Sequence, residues 1–245
     1  YRDPSNNTLY LYKPGGGSPS STQVEAKRRD YGFNLSGRSY INLKGLNLFA
    51  TSILTSDSSS HCSMDGLNVK YVSHFMRNED NPWLGGVDST GLILKGSNHT
   101  LKNSEVSYSA GQGVYVTGSG HTVTNNKIHH VNYNIADCFA VMAGGSNQSI
   151  TFNTISYSTR GLVQTVCTNS KINNNEIHHA MLETDDGGAT YCYYTDGQNT
   201  EIAYNVVHSV RSLHGWAGNG IYLDNYCRNF RVHHNIVYDT DQAMR

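Results

Sequence analysis

Apolar and polar positions along the chain recur in a six-residue unit: apolar, two variable residues, Asn, one variable residue, apolar. The clearest copies are Val123-Thr-Asn-Asn126-Lys-Ile128, Ile150-Thr-Phe-Asn153-Thr-Ile155, Ile172-Asn-Asn-Asn175-Glu-Ile177, Ile202-Ala-Tyr-Asn205-Val-Val207 and Val232-His-His-Asn235-Ile-Val237. Degenerate copies precede them at 43–48, 64–69 and 101–106, the last with Ser104 in the Asn place. Between copies stands a second unit, Gly followed by a short apolar run: Gly91-Leu-Ile-Leu, Gly113-Val-Tyr-Val, Gly161-Leu-Val-Gln, Gly188-Ala-Thr-Tyr and Gly220-Ile-Tyr-Leu. The copy near Asp137 lacks the Gly.

Successive Asn positions lie about 22 to 30 residues apart, the period of one solenoid coil with loops of variable length. No sustained i, i+3, i+4, i+7 apolar pattern supports a helix, and β-branched residues fill the short runs. The fold this predicts is all-β: a right-handed parallel β-helix with coils of about 22–30 residues. Its hand follows from the preference of parallel crossovers. Each strand pairs with its copy about 4.8 Å away, and inward side chains stack into a long narrow core. Asn126, Asn153, Asn175, Asn205 and Asn235 are expected at a bend, where each amide can bond the Asn above and below.

Residues 1–36 differ and read as lead-in strands or an edge. Residues 37–245 read as the coils of one continuous domain. Asp3-Pro4 suggests a turn, Leu9 to Tyr12 an alternating strand, Gly15 to Pro19 a loop, and Val24 to Arg29 a short polar strand or edge. The basic run Lys27-Arg28-Arg29 fits a solvated face. Longer insertions fall at 78–86, 183–186 and 211–219, and insertions in a solenoid leave the stack as loops that commonly build binding sites. Tyr1 opens directly in polar sequence with no leader, and the last repeat runs almost to Arg245. Both ends read as those of a trimmed piece of a longer product.

Composition narrows the function. Charged residues are 15% of the chain and the net charge is -1, which speaks against nucleic acid or an anionic membrane as partner. No apolar run reaches the roughly 18 residues of a membrane span. Five cysteines (Cys62, Cys138, Cys167, Cys192 and Cys227) include no CxxC pair, and their odd number leaves at least one outside any internal disulfide. Small buried core residues are the plainest reading of them.

The densest chemical candidate is Glu183-Thr-Asp185-Asp186-Gly-Gly188 together with Gly220-Ile-Tyr-Leu-Asp224. These belong to consecutive coils, close enough for side chains to approach within several Å. Glycoside hydrolysis needs two carboxyl groups, roughly 5–5.5 Å apart for retention and 6.5–9.5 Å for inversion. Asp224 is the sharper candidate because its strand is otherwise Ile, Tyr and Leu. The competing reading is an Asp that satisfies turn amides. Tyr191, Tyr193, Tyr222 and Trp216 offer rings with polar tips that suit sugar faces, or else they stack structurally along the solenoid. His129-His130, His178-His179, His208 and His233-His234 line up in successive coils, with His179 a candidate substrate contact and His214 placed to reach the carboxylates. No HExxH or compact His/Asp triad suggests a metal.

The Asn-x-Ile repeats, the Asp-Asp-Gly-Gly-Ala segment at 185–189, the stretch 195–205 and Gly-Ile-Tyr-Leu-Asp at 220–224 resemble extracellular right-handed β-helix proteins of the pectate-lyase-like superfamily. Among these, the chain looks like the β-helix glycoside hydrolases of the fucosidase/xylanase and β-xylosidase type. The fold resemblance covers nearly the whole chain; the functional resemblance covers about residues 183–227. It implies a secreted protein acting on polysaccharide or glycan, with Asp186 and Asp224 as the catalytic pair and Asp185 as the alternate. No cofactor is implied, and calcium enters only with the alternative of a polysaccharide lyase. A third alternative is a structural or adhesive β-helix whose open ends stack head-to-tail into a homo-oligomer or filament.

Overall fold

The computed structural model describes residues 2–25, 29, 31–73 and 90–245. The insertion at 78–86, Lys27 and Arg28 lie outside the described residues. The six-residue unit maps directly onto the architecture. Its first apolar residue sits on one strand, its Asn on a tight bend and its second apolar residue on the next strand. In one coil these strands are Thr122–Thr124 and Lys127–Val131, and Val141–Ser146 follows on a third side. Repeated coil on coil, they make three parallel sheets of eight, eight and nine strands among the described residues. This is a right-handed parallel β-helix, as the repeat predicts.

Parallel pairing keeps like residues in line, with register shifts among the described residues only between Asp196 and Thr200 and between Tyr31 and Phe33. On the first sheet Leu43, Met64, Leu101, Val123, Ile150, Ile172, Ile202 and Val232 form one column. On the second, Leu48, Val69, Val106, Ile128, Ile155, Ile177, Val207 and Val237 form another. Most of these side chains are fully buried and join a single core with Leu92, Val114, Val141 and Val163 from the third sheet. Burying such a side chain contributes roughly 1.5–3 kcal/mol, so the columns are the main source of stability.

The bend between the first two sheets is held by the Asn ladder. Asn126 Nδ2 donates to Asn153 Oδ1, Asn153 to Asn175, Asn175 to Asn205 and Asn205 to Asn235, each at 3.0 Å. The same oxygens also accept from the backbone N–H of the residue one coil earlier, as Asn153 Oδ1 does from Asn126 N at 3.0 Å. The second amide hydrogen reaches a carbonyl of the preceding coil, as from Asn153 to Val123 O at 2.9 Å. Every link runs the same way, donor toward the later coil.

A second ladder stands at the bend leading into the first sheet. There His99, His121, Gln148, Ser170 and Thr200 each accept from the backbone N–H one coil earlier, at 2.9–3.2 Å. A backbone N–H must be a donor, so His121 Nδ1 accepts, and its Nε2 carries the proton toward Thr117 O at 3.0 Å. Gln148 does the same with an amide: Oε1 accepts from His121 N and Nε2 donates to Gly144 O at 2.8 Å. The adjoining loop is too tight for a side chain at Gly118, where φ is +108° and a Cβ would fall 2.1 Å from Gly96 O.

On the second sheet, Tyr71, Tyr108, His130, Tyr157 and His179 all hold φ between 55° and 59°. Their rings stack outside the core, His130 on Tyr157 at 4.7 Å and Tyr157 on His179 at 4.6 Å. Ahead of the coils, Arg2–Asp3 pairs antiparallel with Thr8–Leu9, a shorter strand than the alternating run to Tyr12 suggests. Tyr31–Asn34 already pairs with Ser52–Leu54, so the stack reaches back into the lead-in. The Gly units fall into more than one column: Gly188 lies opposite Asn219, not Gly220.

Candidate active site

The third sheet turns one face outward, and its strands Gly187–Cys192 and Gly218–Leu223 carry Tyr191 directly opposite Tyr222. The two rings meet edge to face at 5.4 Å, and Phe139 stacks on Tyr191 at 6.0 Å. Gly161 leaves room for this cluster, since a Cβ there would fall 2.3 Å from Phe139 Cε1. These rings form a floor, flanked by loops at both strand ends.

At the N-terminal ends of the strands, a cleft of about 280 Å³ is lined by Ile135, Arg160, Thr184, Asp185, Asp186 and Trp216. Arg160 is buried and bridges two carboxylates, Asp137 at 3.3 Å and Asp186 at 3.4 Å. Its guanidinium also lies 6.0 Å from the centre of the Tyr191 ring. Burial raises the Asp137 carboxyl above the usual range; Arg160 opposes that rise and the Asp186 charge adds to it. Asp186 itself is 72% exposed and Trp216 62% exposed, so both face solvent.

Asp185 does something else. It accepts from the His214 backbone N–H at 2.8 Å and pairs with the His214 ring. The backbone bond first, and the ring second, lower its pKa. The pair ties loop 182–186 to loop 211–217. The base of the second loop is fixed by Asp241, which accepts from Ser212 N, Ser212 Oγ and Gly218 N, each at 2.9 Å.

At the C-terminal ends of the strands lies Asp224, in a hollow of about 310 Å³ running from Tyr222 to Cys227 and closed by Arg245. Its carboxylate accepts from the Tyr191 hydroxyl at 2.8 Å, the Tyr222 hydroxyl at 3.1 Å and Asn225 N at 2.7 Å. Burial, then Asp224, then Asp186 hold the Tyr191 phenol well above its ordinary pKa. Tyr222 is raised by the same influences in the same order. Both carboxylates therefore act on the same two rings. Tyr193 is exposed beside them and packs against Tyr194 at 5.8 Å.

Asp186 and Asp224 do lie on consecutive coils, but at opposite ends of the third-sheet strands. They are linked through Arg160 and Tyr191 instead of stacking on one another. His214 meets Asp185 and not the other carboxylates. His179 belongs to the ring ladder of the second sheet, with its Nδ1 2.6 Å from His178 Nδ1. Sequence reasoning did not single out Asp137, Asp241 or the bridging place of Arg160. The one signal for Asp137 is that its coil departs from the Gly unit. Among the described residues, no group of three or more His, Cys, Asp or Glu is placed to hold a metal ion. Nor is any helix there long and apolar enough to cross a membrane.

Stacked coils, three parallel sheets and a loop-flanked face define a parallel β-helix solenoid. The chain belongs to the family described as right handed beta helix region, whose pattern matches residues 51–237. Comparison with curated proteins and with solved structures finds no match.

Proposed function

We propose that the chain is a secreted, carbohydrate-active protein, a glycoside hydrolase that lays a polysaccharide across the outer face of the third sheet. The observation that carries this is the chain of contacts Asp186–Arg160–Tyr191–Asp224, which sets a carboxyl group on each side of an aromatic floor. Three donors orient the Asp224 carboxylate, and in this reading it is the base of the pair. A proton for the leaving group comes from the other flank. There Asp137, whose carboxyl burial raises above the usual range, shares the Arg160 guanidinium with the exposed Asp186. Trp216 and Tyr193 offer rings for sugar C–H faces.

Lying at opposite ends of six-residue strands and joined only through intervening side chains, the two groups lack the close contact of about 5–5.5 Å that retention requires. Against a polyuronate substrate, as a lyase would take, stand the carboxylates of Asp137, Asp185, Asp186 and Asp224 on the flanks. Arg160 is already committed to two of them.

The test is sugar release from a panel of plant, algal and microbial polysaccharides by the parent chain and by Asp224→Asn and Asp186→Asn. Release by the parent that falls by about 10²-fold or more in both variants supports the reading, since a general acid or base contributes about 10² to 10⁴ in rate. No release from any substrate by the parent sinks it.

A further inference from the structure

We propose that Cys192 and Cys227 close to a disulfide that ties the Asp224 turn to the coil before it. Cys192 is the last residue of the strand Gly187–Cys192 and lies opposite Leu223. The next coil then bends back: Asp224 N donates to Cys192 O at 3.0 Å, and Cys227 N donates to Asp224 O at 3.1 Å. That turn returns Cys227 over Cys192, and the two side chains interact directly.

The other cysteines do not compete. Cys62, Cys138 and Cys167 are buried in separate coils. Burial pushes the Cys138 thiol up to about 12 and also raises that of Cys167. Burial raises the Cys192 thiol as well, so what sets the other three apart is their place in separate coils. Cys227, by contrast, is only partly buried, and Cys192 behind it is fully buried. This order suits a two-step exchange with an external disulfide such as oxidised glutathione. The Cys227 thiolate attacks one sulfur of the oxidant, forming a mixed disulfide and releasing one thiolate. The Cys192 thiolate then attacks the Cys227 sulfur, the new S–S bond forms and the second thiolate leaves. The two cysteines lose two electrons and two protons, and one external disulfide becomes two thiols. The inference does not depend on the hydrolase reading. It requires only an oxidising compartment, which a secreted protein meets.

The experiment holds the purified chain in a glutathione redox buffer, denatures it, alkylates free thiols and maps the peptides by mass. Three of the five cysteines are then alkylated, and a linked pair of peptides containing Cys192 and Cys227 appears. That pair is about 2 Da lighter than the sum of its reduced halves and disappears with dithiothreitol. Five alkylated cysteines overturn the proposal, as does a Cys227 that keeps glutathione while Cys192 is alkylated. As a second readout, the melting temperature of the parent rises on oxidation, whereas Cys192→Ser and Cys227→Ser each remove that rise. A rise of equal size in parent and variants overturns the proposal.

Discussion

The Tyr191 hydroxyl donates to Asp224 Oδ2 at 2.8 Å across a coil boundary, joining the aromatic floor to one of its flanks. In Tyr191→Phe the ring keeps its packing against Phe139 and Tyr222 while the carboxylate loses one of three donors. A hydrogen bond to a charged group is worth about 1.5–3 kcal/mol. On the polysaccharide the parent cleaves, kcat/KM is expected to fall at least about tenfold, with an unchanged circular dichroism spectrum. Full activity in this variant removes Tyr191 from the site.

The Asn ladder predicts a position-dependent cost. Asn153→Ala leaves the Asn126 backbone N–H and amide, both buried, without their shared acceptor. Orphaned buried groups cost about 1–3 kcal/mol each, so urea unfolding should show a loss of about 2–5 kcal/mol. Asn235→Ala makes the same change where the acceptor itself is partly exposed, so water can take its place beside the buried Asn205 donors. Its loss should be clearly smaller. Equal losses at both positions argue against the ladder as a source of stability.

His121 makes the fold acid-sensitive. Burial lowers its pKa from 6.5 to about 4. Above about pH 6.5 the ring is neutral in both folded and unfolded chains, and the stability is fully present. As pH falls from 6.5 toward 4 only the unfolded chain takes up the proton, and stability is lost, by about 3 kcal/mol at the end of that window. His99 is lowered by burial as well and adds loss in the same direction. Gln148 shows that an amide serves the same bonds one coil later, so His121→Gln should fold and flatten the profile between pH 4 and 6.5. A profile as steep as the parent's assigns the sensitivity elsewhere.

Gly161→Ala tests the floor. The added Cβ meets the Phe139 ring, not a flexible tip. Overpacking of this kind costs about 1–3 kcal/mol, and Phe139→Leu in the same chain should return part of it. A thermal melt of the two single variants and the double variant gives the coupling. Strict additivity means that the two residues do not touch.

The repeat made most of the fold legible, because burial and pairing demand the same residue types at the same step in every coil. The Asn ladder was readable because one residue type fills all five of its places. The ladder of His99, His121, Gln148, Ser170 and Thr200 was not, since unlike side chains supply the same acceptor. Asp185, Asp186 and Asp224 stood out as acids in loops and at a strand end. Their partners did not: Arg160 and Asp137 lie 26 and 49 residues before Asp186, and sequence spacing shows only which coil a residue is on. It does not show which end of the strand its side chain leans toward. That is why Asp186 and Asp224 could be assigned to adjacent coils while their separation along the strand went unread.

The one-way Asn ladder has a consequence for how such a chain can change. Each rung registers only the vertical step between coils and is indifferent to the path the backbone takes between rungs. Successive ladder residues are 27, 22, 30 and 30 residues apart from Asn126 to Asn235, yet the rungs are all 3.0 Å long. The bend works as a ratchet: loops are free to lengthen, but a coil cannot slip against its neighbours without breaking the rungs that join it to them. The face bearing Asp186, Trp216 and Asp224 can therefore be remodelled for a new ligand while the scaffold keeps its place.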